Sequence, residues 1–320
     1  MINAPVLLLV GGTGFVGRHL AEKLTLQYPG HRRVVLMKDQ DNFSSGWEVV
    51  RGDLLDPSSI DLIVSRLRPE ITIHLAAQAS IDVAVNAAEM TWRVNFGGTL
   101  ELASAVARHA PASTFFFTSS AEVYGKSFVN GPADESTLLQ PNNAYAASKM
   151  AAEYALMQIL PAETRLIIAR AFNHTGPGQD ERFALPSFAA QIARIELGNK
   201  EPVIYVGDLV FQRDFLHVSD VVAAYIQLLT ASVANNRLLV NVCSGHGHVM
   251  RDLLDQLCAM SKSNVSVVLD PARLRPNGLP ATIGDPTRLK TLTGWEPKWT
   301  INNMLLELLD YWRARTAQRD

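Results

Sequence analysis

The fold is decided near the start of the chain by the stretch Val6-Leu7-Leu8-Leu9-Val10-Gly11-Gly12-Thr13-Gly14-Phe15-Val16-Gly17. An unbroken apolar run that ends in glycine is typical of a β-strand buried on both faces of a parallel sheet. A helix is predicted directly afterwards, from about Phe15 to Gln27, with Val16, Leu20 and Leu24 on one face. A buried strand, a glycine turn and an amphipathic helix in this order predict the opening of a doubly wound α/β domain.

The glycines of this turn follow a GxxGxxG spacing. Such a turn leaves the strand tightly, lets the backbone approach a pyrophosphate, and lets the helix pack closely on the sheet. The first N–H groups of the helix and its positive dipole end then face the phosphates. We therefore predict a dinucleotide-binding site at this turn. The residues predicted to contact it are Gly11, Thr13, Gly14, Phe15, Val16 and Gly17.

The rest of the first half alternates apolar runs with helical stretches, which predicts βαβ units and a parallel sheet. Strands are predicted at Val34–Met37, Val49–Arg51, Thr72–Leu75, Thr114–Thr118 and Arg165–Ala169. Helices are predicted at Ile81–His109, which is long and largely helical, and at Ala144–Leu160.

The second half no longer alternates strands and helices regularly. A Gly/Pro-containing loop is predicted at Asn173–Asp180 and a surface segment at Asp270–Pro286. Helices are predicted at 183–197, 218–232, 249–261 and Thr300–Arg315. We expect a Rossmann-type parallel sheet domain and a smaller C-terminal lobe. The expected division gives residues 1–172 and about 210–245 to the NAD(P)-binding domain, and 173–209 and 246–320 to a substrate-binding lobe.

Composition excludes several classes of protein. The net charge is −2, from 29 basic and 31 acidic side chains, which does not favour nucleic-acid binding. No apolar run approaches the ~20 residues of a membrane helix, and the N-terminus has no signal-peptide pattern. The two cysteines, Cys243 and Cys258, lack a metal-ligand spacing, so no metal site is predicted. Unpaired thiols favour a cytoplasmic location.

The residues after the second predicted strand bear on the choice of nicotinamide cofactor. An acid there accepts the ribose hydroxyls of NAD, whereas basic groups favour the 2′-phosphate of NADP. The sequence offers both Lys38 and Asp39, with Arg18, Arg32 and Arg33 as further basic candidates. We expect Lys38 to contact the cofactor, and the choice between NAD and NADP stays open.

Tyr145 and Lys149 lie four residues apart in a predicted helix, hence on one face. A phenol has a pKa near ~10, and a neighbouring ammonium lowers the pKa of such a phenol. Tyr145 is therefore a candidate to exchange a proton with a carbonyl or hydroxyl, and Lys149 a candidate to assist it and to hold the cofactor ribose.

Ser120 and Glu122 follow a predicted strand at the edge of the sheet where ligands bind in open α/β folds. Ser120 is a candidate to hydrogen-bond the reacting oxygen of a substrate. Glu122 is a candidate either to remove a proton next to a carbonyl or to accept hydrogen bonds from sugar hydroxyls.

The glycine turn, Ser120 and the Tyr145-xxx-Lys149 helix together resemble the extended short-chain dehydrogenase/reductase superfamily. Gly52–Asp56 resembles its adenine-contacting turn, His74–Gln78 resembles its loop beneath the cofactor, and Asn95 matches a helix asparagine. The resemblance implies that the cofactor contacts Asp53, Leu54, Leu75, Ala76, Ala77, Tyr145 and Lys149, and that Gln78 and Ser120 contact the substrate.

Motifs of the second half are similar to those of GDP-mannose 4,6-dehydratases and their partner reductases. They are Arg170–Gln179, Val206–Asp208, Arg213–Phe215, Asn241–Gly245, Leu274–Pro276, Gly284–Lys290 and Thr293–Pro297. The short total length and the run Asp270–Pro276 favour the reductases, although Ala171 stands where the family commonly has proline. The resemblance implies that Asn173, Arg213 and Arg275 hold the diphosphate of a GDP-linked 6-deoxyhexose, as arginine forks suit phosphate oxygens.

This resemblance implies an oxidoreductase that reduces the C4 ketone of GDP-4-keto-6-deoxy-D-mannose to GDP-D-rhamnose with NAD(P)H. An alternative is a GDP-mannose 4,6-dehydratase with bound NADP, in which Glu122 removes the C5 proton. A remote alternative is a non-catalytic nucleotide-binding scaffold. The resemblance also implies a homodimer formed through the outer faces of the helices at 81–109 and 144–160.

Overall fold

The computed structural model describes residues 4–38, 43–80, 84, 86–232, 235–274 and 278–318. The strands are β1 Val6–Val10, β2 Arg32–Met37, β3 Glu48–Arg51, β4 Ile71–His74, β5 Thr114–Ser120, β6 Arg165–Ala171, β7 Asn173–Thr175, β8 Val203–Val206, β9 Gln212–His217, β10 Arg237–Val242, β11 Gly247–Val249, β12 Ser266–Leu269 and β13 Ala281–Thr282. The helices are α1 Phe15–Gln27, α2 Pro57–Leu67, α3 Ala88–Trp92, α4 Gly98–His109, α5 Ala144–Ile159, α6 Ala184–Glu196, α7 Val218–Thr230, α8 Met250–Ala259, α9 Thr287–Thr293 and α10 Ile301–Ala317.

Seven strands form a fully parallel sheet in the order β10-β6-β5-β4-β1-β2-β3. Successive residues of each strand face opposite sides of the sheet. On β5, Phe116 packs into the core beneath α1 and α7, whereas Phe115 and Phe117 pack into the core beneath α2, α4 and α5. Apolar cores on both faces confirm the doubly wound Rossmann fold.

The long helical segment predicted at Ile81–His109 is interrupted. Its residues 81–83 and 85 lie outside the described ranges; Ala84 and Asn86 are helical, Ala87 is not, and α3 begins at Ala88. The segment Arg93–Gly97 forms a single π-helical turn between α3 and α4. Such turns insert one extra residue into a helix and frequently occur at functional sites.

The loop predicted at Asn173–Asp180 is wrong at its start, because Asn173–Thr175 forms β7. β7 runs parallel to β9, which also pairs with β11 and β13 in a second, small sheet. Backbone pairing explains the strand: Asn173–Thr175 lies in parallel register with Phe215–His217 of β9, and the Asn173 side chain also donates to the Asp214 carbonyl. The Gly/Pro composition that indicated a loop belongs to the residues that follow.

The C-terminal helices form a separate core together with β8 and β12. Apolar side chains of α6, α8 and α10 fill it, including Phe188, Leu253 and Leu308. The Asp220 carboxylate of α7 accepts hydrogen bonds from the backbone N–H groups of Lys298 and Trp299, which joins the segment before α10 to the parallel sheet. The division of the chain into 1–172 with 210–245 and the remainder stays a prediction.

No helix in the described ranges has both the length and the apolar character needed to cross a bilayer.

Candidate active site

The glycine turn lies directly against the loop that follows β4. Gly11 has a φ of +91°, and a Cβ on it would lie 2.5 Å from the Ala76 backbone nitrogen. A Cβ on Gly17 would overlap the Gly11 carbonyl and lie 2.7 Å from the Gly12 Cα. Because these neighbours are backbone atoms, side chains are excluded at both positions. The first strand therefore ends in a turn whose backbone N–H groups and helix end suit a pyrophosphate.

The helix that begins at the turn contacts the segment after β7. The Phe15 ring stacks on the His174 ring with centroids 5.9 Å apart, and the His19 Nε2 lies 2.8 Å from the Pro177 carbonyl. Thr13 is exposed at the turn, and Val16 is half-buried in the first turn of α1. Phe15, which is predicted to contact the cofactor, is thus in ring contact with His174 of the segment that resembles the substrate-binding motifs.

Lys38 follows β2, and its Nζ lies 2.9 Å from the Asp53 carboxylate in the turn after β3. The pKa of Asp53 is lowered, first by a hydrogen bond from the Leu55 backbone and then by Lys38. Arg32 instead pairs with Glu48.

The other candidates for cofactor choice are placed as follows. Arg33 donates to the Tyr28 and Gly46 carbonyls, and Arg18 donates to the Thr13 carbonyl. Asp39 lies outside the described residues. Lys38 and Asp53 are therefore the charged pair at the predicted adenosine end, with Leu54 packed beside them against the helical core.

The loop after β4 is fixed from both sides. The Leu75 and Ala76 N–H groups both donate to the Val10 carbonyl, at 2.8 and 3.1 Å. Half-buried Ala77 follows, and the Gln78 backbone exchanges two hydrogen bonds with the side chain of Asn95, at 2.8 and 3.2 Å. Asn95 lies in the π-helical turn, so this turn presents its amide to the loop.

Ser120 and Tyr145 meet at the carboxyl edge of the sheet. Ser120 is the last residue of β5, and Tyr145 lies in the first turn of α5, which Asn143 caps through a 2.8 Å bond from the Ala146 N–H. Burial raises the pKa of Tyr145 to about 12, a side-chain hydrogen bond with Ser120 acts to lower it, and the charge of Glu122 raises it further. Tyr145 is therefore a phenol at neutral pH.

Glu122 lies in the short turn that follows β5. Its backbone N–H donates to the Ser120 Oγ at 3.2 Å, and its carboxylate accepts a long hydrogen bond of 3.5 Å from Asn143. The side chain is half-buried and close enough to act on the pKa of Tyr145. The structure thus brings Ser120, Glu122 and Tyr145 together.

Lys149 is buried one helical turn after Tyr145. Its Nζ donates to the Thr118 carbonyl at 2.7 Å and lies 4.6 Å from the centre of the Phe117 ring. Burial lowers the pKa of Lys149 to about 7, and Glu153 opposes this shift. The expectation that Lys149 lowers the pKa of Tyr145 is wrong for this arrangement, because burial dominates at the phenol and the ammonium points to the Thr118 carbonyl.

Two of the three residues predicted for the diphosphate lie on the small sheet. Asn173 on β7 donates to the Asp214 carbonyl at 3.3 Å. Arg213 on β9 donates to the Leu279 carbonyl at 2.9 Å. Arg275 lies outside the described residues. The small sheet brings Asn173 and Arg213 to neighbouring strands.

Sequence reasoning assigned no role to several buried charged groups. Glu153 and Arg170 form an ion pair behind Lys149 with an N–O distance of 2.6 Å. Asp214 accepts hydrogen bonds from Ser244 and from the Gly245 and Gly284 N–H groups. The i, i+4 spacing of Lys149 and Glu153 was a signal that could have identified Glu153.

Chemically, this edge of the sheet suits hydride transfer between a nicotinamide and a carbon–oxygen bond, with a phenol as proton donor. Within the described ranges no group of His, Cys, Asp and Glu side chains could hold a metal ion. A parallel sheet with a dinucleotide turn at one strand end and the Ser120–Tyr145 contact at another defines an NAD(P)-dependent oxidoreductase of the extended short-chain dehydrogenase/reductase class.

Comparison with known proteins gives the family. The sequence model of the family described as GDP-mannose 4,6 dehydratase matches residues 8–308, and the chain belongs to this family. It is 35% identical over 318 residues to the GDP-6-deoxy-D-mannose reductase of Pseudomonas aeruginosa, covering 98% of both chains.

The chain is also similar to a solved structure and to a further GDP-sugar enzyme. The solved structure of the RMD protein of Pseudomonas aeruginosa complexed with NADPH matches with a TM-score of 0.83 and 33% identity, over 97% of this chain and 99% of that one. The GDP-6-deoxy-D-talose 4-dehydrogenase of Aggregatibacter actinomycetemcomitans is 25% identical over 305 residues, covering 94% of this chain and 95% of the relative.

Replacing Gly17 by alanine tests the glycine turn. Because a Cβ there would meet the backbone of Gly11 and Gly12, we expect Gly17→Ala to weaken binding of NADPH by about tenfold or more, a loss of ~1.4 kcal/mol. Titration followed by cofactor fluorescence measures this. Gly30→Ala is the matched control, since a Cβ on Gly30 meets nothing within 4 Å. Equal affinities for the two variants would contradict the assignment.

Replacing Lys149 by methionine tests the cost of its buried charge. The pKa of Lys149 is about 7 in the folded chain, against 10.5 ordinarily. Below pH ~7 both states are protonated and the folded state bears the full cost. Between these pKa values the folded state releases its proton first, so wild-type stability rises with pH. Lys149→Met should therefore unfold with a free energy about 4 to 5 kcal/mol larger at pH 6.5, and the difference should shrink towards pH 10.

Urea unfolding at several pH values measures this difference in the absence of nucleotides. Exposed Lys23 is the matched control, and Lys23→Met should show no pH-dependent difference from wild type. A Lys149→Met difference that stays constant with pH would show that the ammonium is not destabilised by burial.

Proposed function

We propose that the protein reduces the C4 ketone of GDP-4-keto-6-deoxy-D-mannose to GDP-D-rhamnose with NADPH. The observation that carries the proposal is the placement of Ser120 beside the buried Tyr145, close enough to act on its pKa, at the sheet edge that also bears the glycine turn. Near full-length similarity to a GDP-6-deoxy-D-mannose reductase supports the choice of substrate.

In this reaction Tyr145 is the acid. Its phenol donates a proton to the substrate oxygen as C4 becomes a carbinol carbon, and Ser120 hydrogen-bonds the same oxygen. The reduced nicotinamide supplies the hydride. The raised pKa of Tyr145 suits this role, because the phenol carries its proton at neutral pH. One proton from solvent restores the phenol after each turnover.

The cofactor would extend from the glycine turn to Lys149. Gly11, Gly14 and the N-terminus of α1 would hold the pyrophosphate. Lys149 would donate to the nicotinamide ribose. We infer a preference for NADPH from Lys38, whose exposed ammonium beside Asp53 lies where a 2′-phosphate would be bound.

The GDP-sugar would lie over the small sheet. Asn173 and Arg213, which β7 and β9 hold on neighbouring strands, would contact the diphosphate, and Arg275 would complete the set. Gln78 would approach the sugar from the loop after β4. We propose that 1–172 and about 210–245 form the NAD(P)-binding domain, from which Gln78 and Arg213 reach the sugar nucleotide, and that 173–209 and 246–320 form the substrate-binding lobe.

A direct assay follows the absorbance of NADPH, and in parallel NADH, on adding GDP-4-keto-6-deoxy-D-mannose. We expect turnover by wild type and a loss of at least ~10³-fold in kcat for Tyr145→Phe, which removes the proton donor. Tyr154→Phe is the matched control, since Tyr154 lies exposed on the same helix. Product NMR distinguishes GDP-D-rhamnose from GDP-6-deoxy-D-talose. Failure of folded, NADPH-binding wild type to turn over would overturn the proposal, and full activity of Tyr145→Phe would favour a nucleotide-binding scaffold.

The position of Glu122 favours a second candidate, a GDP-mannose 4,6-dehydratase. A carboxylate beside Ser120 and Tyr145 is placed to remove the C5 proton of an oxidised sugar. Such an enzyme converts GDP-mannose without net consumption of NADPH, so the same assay with GDP-mannose separates the two. Full conversion of GDP-mannose by Glu122→Gln would contradict a role for this carboxylate.

We also propose a homodimer formed through α3 and α5. Large apolar side chains of these helices are exposed, among them Met90, Trp92 and Met157. Exposed apolar surface on two adjacent helices is typical of a two-fold interface. Light scattering should give twice the 35.1 kDa of one chain, and Trp92→Glu with Met157→Glu should give a monomer. Leu26→Glu, at an exposed leucine on α1, should stay dimeric; a monomeric wild type would disprove this.

We place the reaction in the cytoplasm. Both cysteines, Cys243 and Cys258, are free in the structure, and Cys243 is buried. Free thiols suit a reducing compartment.

A further inference from the structure

Behind the proposed catalytic residues lies a buried carboxylate that the reaction does not contact. Glu153 is on α5, four residues after Lys149, and none of its surface is exposed. Arg170 on β6 donates hydrogen bonds to this carboxylate, with Nε–O distances of 3.0 and 3.2 Å and an Nη2–O distance of 2.6 Å. A fully buried carboxylate is costly unless it is paired and hydrogen-bonded.

Glu153 also binds the end of β5. The Ser119 hydroxyl donates to its Oε1. Ser119 faces α5 on the same side of the strand as Phe115 and Phe117, and it pairs in register with Arg170 of β6. The next residue along the strand is Ser120, which lies close enough to Tyr145 to act on its pKa. One carboxylate therefore joins α5, β5 and β6 immediately behind the Ser120–Tyr145 contact.

A chain of hydrogen bonds fixes Arg170 in turn. Its Nη1 donates to the Tyr124 hydroxyl at 3.0 Å, and this hydroxyl donates to the Asn241 side chain at 2.6 Å. The Asn241 side chain donates to the Ala133 carbonyl at 2.9 Å. Because every member is buried and partnered, the Glu153 carboxylate has little freedom to move.

The negative charge of Glu153 raises the pKa of Lys149 through space. The titratable or charged groups that the described elements bring near Lys149 are His74 on β4, Tyr145 and Glu153 on α5, and Arg170 on β6. His74 is buried, and burial lowers its pKa to about 3, so it is neutral. Tyr145 is a neutral phenol, which leaves Glu153 as the negative charge of the group.

Resting on the function proposed above, we propose that Glu153 is a positioning residue for the reduction. Through Ser119 it holds the strand end that carries Ser120, and through its charge it favours the protonated form of the Lys149 side chain. Arg170 pairs with the carboxylate and fixes its direction.

The test combines a titration of Lys149 with the pH profile of kcat. Lysine labelled with ¹³C at Cε reports the protonation of Lys149 by NMR in the full chain, and the signal is identified by its loss in Lys149→Met. We expect Glu153→Gln to lower the titration midpoint of Lys149 by about one pH unit and to lower kcat at pH 8 about tenfold, with KM for the sugar within about twofold. Glu153→Asp, which keeps the charge, should recover most of both.

Glu196→Gln is the matched control. Glu196 lies in the other core, where its side chain is 7% exposed and pairs with Arg313 through two short hydrogen bonds. Its loss breaks a comparable buried ion pair far from the site, so it should leave the Lys149 midpoint and the pH profile unchanged. If Glu153→Gln matches Glu196→Gln in both measurements, the inference is overturned.

Glu153→Gln leaves Arg170 without its charged partner and could unfold the chain. In that case the double variant Glu153→Gln with Arg170→Met replaces it. Removing both charges of a buried pair is often tolerated. A downward shift of the Lys149 midpoint is again expected, smaller than in Glu153→Gln because the positive charge of Arg170 is lost as well. An unchanged midpoint in this double variant also overturns the inference. Because the NMR titration needs no substrate, it tests Glu153 even if wild type fails to reduce the GDP-sugar, which would overturn the proposed function alone.

Discussion

A buried ammonium constrains the centre of this protein. The Lys149 side chain is 2% exposed, and moving such a charge out of water costs several kcal/mol unless the surroundings replace its hydration. The Thr118 carbonyl, the face of the Phe117 ring and the nearby Glu153 carboxylate provide that replacement. Strand β5 and helix α5 must therefore pack in one register, and this register also brings Ser120 to Tyr145.

Much of the fold could be predicted from local pattern. The stretch Val6–Gly17 combines a strand buried on both faces with glycines that only a backbone-to-backbone contact requires, and the structure confirms the strand, the turn and the helix. Contact residues such as Gly11 and Ala76 are distant in sequence, yet the edge of a parallel sheet brings their loops together because all its strands end on the same side.

Other features could not be predicted, because they depend on tertiary contacts. Asn173–Thr175 looks like a loop in a Gly/Pro-rich context, and it becomes a strand only because β9 offers a partner. The π-helical turn around Asn95 depends on the loop that its amide binds. The pKa of Tyr145 depends on burial, which the spacing of Tyr145 and Lys149 does not report. The roles of the site residues stay predictions.

The passage from β6 to β7 has a mechanical consequence. Only Phe172, a buried residue, separates the strand that ends at Ala171 in the large sheet from the strand that begins at Asn173 in the small one. There is no length of chain at this point to absorb a rotation. A displacement of the strand that carries Asn173 is therefore passed on, through one buried residue, to the strand that carries Arg170.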